Sequence, residues 1–222
     1  MEKKQIKSKE RVRDHGEVFT PDFIVNDMLD LVKSETERIE SRFLEPACGD
    51  GNFLAPVLKR KLEIVRKRYG KSQIDFEKYG LIAVSSIYGI ELLDDNVETC
   101  RNRLFKIFSD IYINKYKTKA KEEFLKSIQI ILEKNILQGN ALSLKTKDEK
   151  EYILFSEWTL LSRGKVQRKD FIFKEMGDFE PNSILYHSKR ELSDTGAQVF
   201  SPMPIQEYPL KHYLKLDYED TK

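Results

Sequence analysis

The sequence contains no run of the roughly 18 apolar residues that a membrane-spanning helix needs, so it predicts no membrane partner. Its basic N-terminus is followed by no apolar segment, which argues against a secretory signal. It has two cysteines, Cys48 and Cys100, without metal-site spacing, and three scattered histidines, His15, His187 and His212. We therefore predict no metal ion. Two such cysteines fit a reducing, cytoplasmic compartment.

A strong basic bias is also missing. The formal net charge is +2, which does not by itself indicate a nucleic-acid-binding protein. Basic residues cluster only locally, in the arm formed by residues 1–13 and in the stretch from Arg163 to Lys174. Each cluster is open to two interpretations, a solvated surface segment or a surface that contacts phosphates.

Up to Leu142 the apolar pattern alternates between short buried runs and longer stretches of helical period. Thr20 as a cap with Pro21 at the first helical position predicts a helix start. The predicted strands are RFLE, IYGIEL and NILQGNAL, and the predicted helices begin at TPDFIVNDML, NFLAPVLKRK, FEKYGLIAV, DDNVETCRNR and AKEEFLKSIQ. This alternation predicts an α/β domain with parallel strands and helices on the faces of the sheet.

After Leu144 the pattern changes, and we place a boundary near Thr146. EYILFSEWTLL and RKDFIFKEM predict short strands, and the sequence from Pro181 onward predicts an irregular, proline-bearing tail. The organisation we expect is a basic arm (1–13), a ligand-binding α/β domain (14–146) and an irregular C-terminal extension (147–222). We predict that the Trp158 side chain, in the extension, is buried as an anchor of the core. Stacking of its ring on a nucleic-acid base is the alternative.

The stretch FLEPACGDGNFL, Phe43 to Leu54, is a strand that enters a helix over two glycines. Gly49 and Gly51 allow the backbone to approach a ligand closely or to adopt a positive φ. The turn lacks the third glycine of a dinucleotide fingerprint, which argues against NAD. Glu45, directly before the loop, favours a cationic ligand such as a sulfonium cofactor with an amino acid tail. A tight turn without any ligand is the alternative.

Two further strands end in polar groups. Glu91 ends the second strand, where a carboxylate can accept hydrogen bonds from both hydroxyls of a ribose, and Gly139 and Asn140 end the third. The carboxyl ends of parallel strands meet at one edge of a sheet, which is where such sheets bind ligands. Together the three strand ends predict an adenosine-binding edge.

These residues carry a resemblance to a family. HGEVFTPDFIVNDML, FLEPACGDGNFL, YGIELLDDNVETCRNRL and NILQGNAL resemble, in that order, the opening, cofactor-loop, ribose and adenine motifs of N6-adenine-specific DNA methyltransferases of bacterial restriction-modification systems. The similarity is to the subgroup whose cofactor motifs precede the catalytic ones, and it runs from Arg11 to Leu144. It implies a Rossmann-like, three-layer methyltransferase fold with a mostly parallel sheet, S-adenosylmethionine as cofactor and double-stranded DNA as substrate.

The resemblance also implies roles for individual residues. Glu45 and Gly49 would hold the methionine end of the cofactor, and Glu91 the ribose. Asn140 would meet the adenine amino group, although the family usually has aspartate there, so we expect weaker binding without charge assistance. The cofactor-binding residues implied are Phe19, Thr20, Pro21, Glu45, Pro46, Ala47, Cys48, Gly49, Gly51, Phe53, Glu91, Leu92, Asn140 and Ala141.

The family's catalytic motif, Asn/Asp-Pro-Pro-Tyr/Phe, is absent. The seven prolines include no adjacent pair, and none of them follows Asn or Asp. We therefore assign no catalytic residue and expect the chain to be inactive alone. It would be a fragment, a subunit whose partner protein carries the motif, or a catalytically silent scaffold or regulator in a defence locus. The nearly intact cofactor motifs favour the first two. A methyltransferase acting on another substrate would need a general base, and we find no candidate.

Overall fold

The computed structural model describes residues 6–174, 188–192 and 198–217. His187 and the first part of the predicted irregular tail, from Pro181, lie outside these residues. The helices are α1 (Lys9–His15), α2 (Asp22–Leu31), α3 (Lys33–Thr36), α4 (Leu54–Tyr69), α5 (Gln73–Ser85), α6 (Asp94–Tyr116) and α7 (Glu122–Asn135). The strands are β1 (Phe43–Glu45), β2 (Ile87–Glu91), β3 (Ile136–Gln138), β4 (Leu154–Leu160), β5 (Lys165–Ile172), β6 (Ser188–Leu192), β7 (Gln198–Pro202), β8 (Gln206–Glu207) and β9 (Lys211–His212).

A parallel sheet of three strands in the order β1-β2-β3 forms the centre of the fold. Helices α4 and α5 connect β1 to β2, and α6 and α7 connect β2 to β3, which confirms the predicted strand-and-helix alternation. In the register of the sheet, Glu45 lies beside Gly89, and Glu91 lies beside Gln138. The three strand ends therefore meet at one edge, as parallel pairing requires.

The side chains of β2 alternate between two hydrophobic clusters. Ile87 belongs to the large cluster that α4, α5, α6 and α7 share. Tyr88 and Ile90 point to the opposite face, where they pack with Ile153 and Phe155 near and within β4. In the described residues, the long helices thus cover one face of the parallel sheet and the segment around β4 contacts the other.

Helix α2 is present as predicted, but it begins one residue later than expected. Its N-cap is Pro21, without a side-chain hydrogen bond, so Thr20 is not the cap. The buried residues of α2 are Val25 and Leu29. Four apolar residues at helical spacing in and directly after this helix are instead exposed, by 37% for Ile24, 49% for Met28, 86% for Leu31 and 43% for Val32. The spacing of these residues is that of a helix, but it does not mark the face of α2 that is buried.

Helix α1 was not predicted. The Ser8 hydroxyl caps it by accepting from Arg11 N, and Gly16 ends it with φ +63°. Lys7 and Arg11 both form ion pairs with Asp95 at the start of α6. Two cations of the N-terminal basic cluster are therefore paired within the protein.

The predicted short strands of the C-terminal region are confirmed as an antiparallel hairpin of β4 and β5. The expectation of an irregular tail was wrong where the tail is described, because β6 pairs with β7 and both β8 and β9 pair with β5. Trp158 and Tyr213 pack into the same hydrophobic cluster as the helices. The Tyr213 hydroxyl also donates 2.7 Å to the buried carboxylate of Glu77 in α5. These contacts attach the strands after residue 146 to the helical layer.

Among the described residues, no helix combines the length and the apolar character that crossing a membrane demands.

Candidate functional site

A cavity of about 800 Å³ opens at the carboxyl ends of β1, β2 and β3. Its lining residues come from four stretches of chain, within positions 14–20, 45–53, 91–96 and 139–142. These stretches belong to the four sequence motifs. Parallel pairing brings the last three to one edge of the sheet, and the segment between α1 and α2 contributes the first.

Nearly all of the predicted cofactor residues line this cavity: Phe19, Thr20, Glu45, Pro46, Ala47, Cys48, Gly49, Phe53, Glu91, Leu92, Asn140 and Ala141. Pro21 and Gly51 do not. Pro21 is the N-cap of α2. Gly51 lies in the turn beneath the cavity wall, with φ +86°, and a Cβ added there would come within 2.9 Å of Cys100 Sγ. Glycine at position 51 therefore permits packing against α6, and it does not expose backbone to a ligand.

Gly49 lines the cavity, and its positive φ is one of the two backbone properties that the sequence suggested for it. It adopts φ +53°, and the nearest atom to an added Cβ is Cε1 of Phe19 at 3.3 Å. The ring of Phe19 thus lies over the glycine turn. This contact joins the segment before α2 to the loop after β1.

Glu91 connects two strands of the cavity wall. Its Oε2 accepts a hydrogen bond of 2.9 Å from Gly49 N, and its Oε1 accepts one of 2.9 Å from Leu93 N. Each carboxylate oxygen has a second lone pair, so Glu91 retains acceptor capacity towards the cavity. The carboxylate therefore orders the glycine turn and still presents negative charge to the cavity.

The charged residues that line the cavity, as far as the structure describes it, are all acidic. Four of its lining residues are acidic, Asp14, Glu17, Glu45 and Glu91, and no Lys or Arg is among the lining residues that the structure describes. The charge of Glu17 is offset, because Arg11 Nε lies 2.7 Å from its Oε2. Glu45 accepts a weak hydrogen bond of 3.3 Å from Ala47 N. Within the described ranges, neither Glu45 nor Glu91 forms an ion pair, so the cavity favours a cation.

Glu17 and Asn96 are among the lining residues that sequence reasoning missed. The side chain of Glu17 is almost buried and accepts 2.6 Å from Asn96 Nδ2, which ties the segment after α1 to the first turn of α6. A glutamate inside the opening motif and an asparagine beside an acidic helix start were visible in the sequence. Only the fold shows that they meet.

Asn140 is held by its own loop. Its Oδ1 accepts 2.9 Å from Leu142 N, and its Nδ2 donates 3.1 Å to Oε1 of Glu149. The same Glu149 oxygen accepts 2.8 Å from the Ser143 hydroxyl. Glu149 was also missed, and no local signal marks it, because it lies outside the motifs in an ordinary charged stretch.

Cys48 is a packed side chain. It is 4% exposed and lies against Cys100, which is fully buried, and both thiols are free. The neighbouring Cys100 thiol and burial raise the pKa of the Cys48 thiol far above its ordinary value. Such a thiol stays protonated and is not a nucleophile. In the described part of the chain, no group of three or more His, Cys, Asp or Glu side chains could hold a metal ion.

Two of the five basic residues from Arg163 to Lys174 form ion pairs within the protein. Arg168 is 3% exposed and forms an ion pair of 2.7 Å with the buried Asp170. Lys169 forms an ion pair of 2.8 Å with Glu207. For Arg168 and Lys169, these contacts favour the structural interpretation over phosphate binding. Trp158 is the predicted core anchor, since it is buried and donates 2.9 Å to Asn135 Oδ1.

The family model "MmeI, DNA-methyltransferase domain" matches the chain over residues 24–152. This range contains three of the four cavity-lining stretches and begins just after the Phe19-Thr20-Pro21 segment. No curated protein and no solved structure matches the chain closely enough to count as a relative. The matched range is more than half of the 222 residues. The chain therefore belongs to the MmeI DNA-methyltransferase domain family, and thus to the DNA methyltransferases of restriction-modification systems.

Proposed function

We propose that the chain binds S-adenosylmethionine in the cavity at the ends of β1, β2 and β3, as the cofactor-binding portion of an adenine-specific N6 DNA methyltransferase. The observation that carries this proposal is the composition of the cavity. It gathers the glycine turn, Glu45, Glu91 and Asn140 at one sheet edge, with no basic residue among its described lining residues.

The charge pattern favours this cofactor over a dinucleotide. A pyrophosphate carries negative charge and is usually bound by helix N-termini, glycine-rich backbone or basic side chains. Here the wall presents Glu45 and Glu91 without cationic partners in the described ranges. S-adenosylmethionine carries a sulfonium and an ammonium group, both cationic, and it supplies the methyl group for transfer.

In this proposal, different residues bind different parts of the cofactor. Glu45 and the backbone of Gly49 hold the methionine end, and Glu91 accepts from the ribose hydroxyls with its remaining lone pairs. Asn140 Oδ1 accepts from the adenine amino group. Phe19 covers the glycine turn from the side of the opening segment. The three parallel strands would then be one part of a Rossmann-like methyltransferase sheet.

The DNA chemistry itself is proposed to need a catalytic motif from further sequence or from a second polypeptide. Transfer to an exocyclic adenine nitrogen requires an extruded base and acceptors that orient its amino group. The Asn/Asp-Pro-Pro-Tyr/Phe motif that supplies them in such enzymes has no counterpart among the seven prolines. We propose that the chain alone does not methylate DNA, and that either further sequence of the same protein or a partner protein in the cytoplasm supplies the motif.

The test is a calorimetric titration of the chain with S-adenosylmethionine, with NADH as the control ligand. We expect saturable binding of S-adenosylmethionine, no heat with NADH, and no transfer of labelled methyl groups to DNA by the chain alone. Absence of S-adenosylmethionine binding by a folded chain would sink the proposal. Methylation of DNA by the chain alone would leave the proposed cofactor site unaffected. It would refute the proposal that the catalytic motif comes from outside the chain.

A further inference from the structure

We infer that Glu149 is a positioning residue that orients the Asn140 amide, so that its oxygen and not its nitrogen faces the base of the bound cofactor. This inference rests on the proposed function of the cavity. It assigns the choice between a 6-amino and a 6-oxo purine to a residue outside the four motifs.

An asparagine amide has a donor end and an acceptor end of nearly equal size. A site that reads an amino group needs the acceptor end, and rotation of the amide by 180° would present the donor end instead. Asn140 lines the cavity. Its orientation therefore decides which hydrogen-bonding pattern the cavity offers at this position.

Two contacts determine that orientation. Leu142 N donates to Asn140 Oδ1 at 2.9 Å, and Asn140 Nδ2 donates to Glu149 Oε1 at 3.1 Å. A flipped amide would place an oxygen against the Glu149 carboxylate and an N–H group against the Leu142 N–H. Both contacts would become repulsive. The carboxylate contributes more to this preference, since hydrogen bonds to charged groups are the stronger ones.

The conformation of the loop after β3 places the Glu149 carboxylate beside the Asn140 amide. Asn140 N donates 2.8 Å to Lys145 O, and a turn closed by Glu149 N to Thr146 O brings the chain back. Glu149 itself adopts φ +58°, a backbone conformation that non-glycine residues rarely adopt. The Ser143 hydroxyl donates 2.8 Å to the same Glu149 oxygen and holds it beside the amide.

The hydrogen bond between Asn140 and Glu149 also explains why position 140 has asparagine where the family usually has aspartate. An aspartate there would place a second carboxylate within hydrogen-bonding distance of Glu149. Asparagine turns that repulsion into a hydrogen bond. Position 140 and position 149 therefore form a matched pair in this chain.

The experiment compares the affinity for S-adenosylhomocysteine with that for S-inosylhomocysteine, which has a carbonyl in place of the amino group. Calorimetry on the full chain gives both affinities for the wild type, Glu149→Ala, Glu149→Gln and Glu151→Ala. The Glu149→Gln variant keeps a neutral acceptor for the Asn140 amide. Glu151 is an exposed carboxylate in the same loop, so its removal controls for net charge.

We expect the wild type, Glu149→Gln and Glu151→Ala to prefer the adenosyl ligand. Glu149→Ala should reduce that preference by about five- to tenfold, the effect of one modest hydrogen bond. Thermal unfolding of each variant verifies that the loop change has not unfolded the protein.

An unchanged preference in Glu149→Ala would overturn the positioning role and leave the proposed function intact. Equal binding of both ligands by the wild type would also overturn it, because Asn140 would then not read the amino group. Failure of the wild type to bind either ligand would overturn the proposed function and this inference with it.

Discussion

The backbone N–H of Gly49 donates a hydrogen bond of 2.9 Å to Glu91 Oε2, across a sequence separation of 42 residues. This contact joins the loop after β1 to the end of β2, and it orders the wall of the cavity. Glu91 is thus a support for the glycine turn as well as a candidate acceptor for the cofactor.

Replacement of Glu91 by Ala should weaken S-adenosylmethionine binding by about 10- to 100-fold, the effect of losing hydrogen bonds to a charged group. The variant loses the acceptor for Gly49 N and the charge in the cavity together. Calorimetric titration measures the change. Glu98→Ala is the matched control, because Glu98 is an exposed carboxylate of α6 that does not line the cavity. Equal affinities for the two variants would contradict the proposed site.

Replacement of Gly51 by Ala should lower the free energy of unfolding by about 2–4 kcal/mol, through backbone strain and overpacking combined. The new Cβ would lie 2.9 Å from Cys100 Sγ. Gly16→Ala is the control, since Gly16 also has a positive φ but no atom within 4 Å of an added Cβ. That variant should lose only about 1 kcal/mol. Urea unfolding compares the two.

A third variant separates the causes at position 51. The double change Gly51→Ala with Cys100→Ala removes the sulfur that the new Cβ meets, so part of the loss should be recovered relative to Cys100→Ala alone. If the double variant shows no such coupling, strain at φ +86° explains the whole effect and the packing argument is wrong.

The pair of Asn140 and Glu149 predicts non-additive effects on cofactor affinity. Asn140→Asp alone should bind S-adenosylmethionine no more tightly than the wild type, because the new carboxylate faces Glu149. Asn140→Asp combined with Glu149→Gln should bind several-fold more tightly, since the acceptor gains charge and the repulsion is removed. Calorimetry on the four proteins gives the coupling energy. Additive effects would show that the two side chains act independently.

Stability should depend on pH through Lys61. This side chain is fully buried, and its Nζ donates to the carbonyls of Ile39 and Ser41 and to the Ser86 hydroxyl. Burial lowers the pKa of Lys61 from 10.5 to about 7. Between these pH values the unfolded chain binds a proton at Lys61 and the folded chain does not. The free energy of unfolding should therefore rise with pH, by about 2 kcal/mol from roughly pH 7 to pH 9.

The control for this prediction is Lys61→Met, which keeps an unbranched side chain and removes the titrating group. Urea unfolding of both proteins at several pH values isolates the contribution of Lys61 as the difference between the two curves. The same slope in both proteins would mean that Lys61 stays charged when folded, held by its three acceptors.

Much of the site could be predicted because its residues are local to strand ends. The glycine turn, Glu91 and Asn140 each follow a buried strand within a few residues, and parallel strands bring such ends together. Helices α4, α5, α6 and α7 were predicted from their period, and the structure contains all four. The division of the chain at residue 146 stays a prediction.

Other features depended on contacts that a local pattern does not encode. The exposed face of α2 has the same period as a buried one, so the sequence could not show that Val25 and Leu29 face the core. Helix α1 has only seven residues and is stabilised by Asp95, which is distant in sequence. The short strands β8 and β9 form because β5 offers its edge to them.

The sequence by itself determined the order of the three parallel strands and of the helices between them, the glycine turn and the absence of a Pro-Pro catalytic motif, because these depend on neighbouring residues and on composition. Tertiary structure alone decided which polar atoms meet. Glu91 reaches Gly49, Glu149 holds the Asn140 amide, and Cys100 fills the space beside Gly51. Each of these contacts joins residues brought together by the path of the chain, and their energies depend on distances of a few ångströms that no spacing in the sequence specifies.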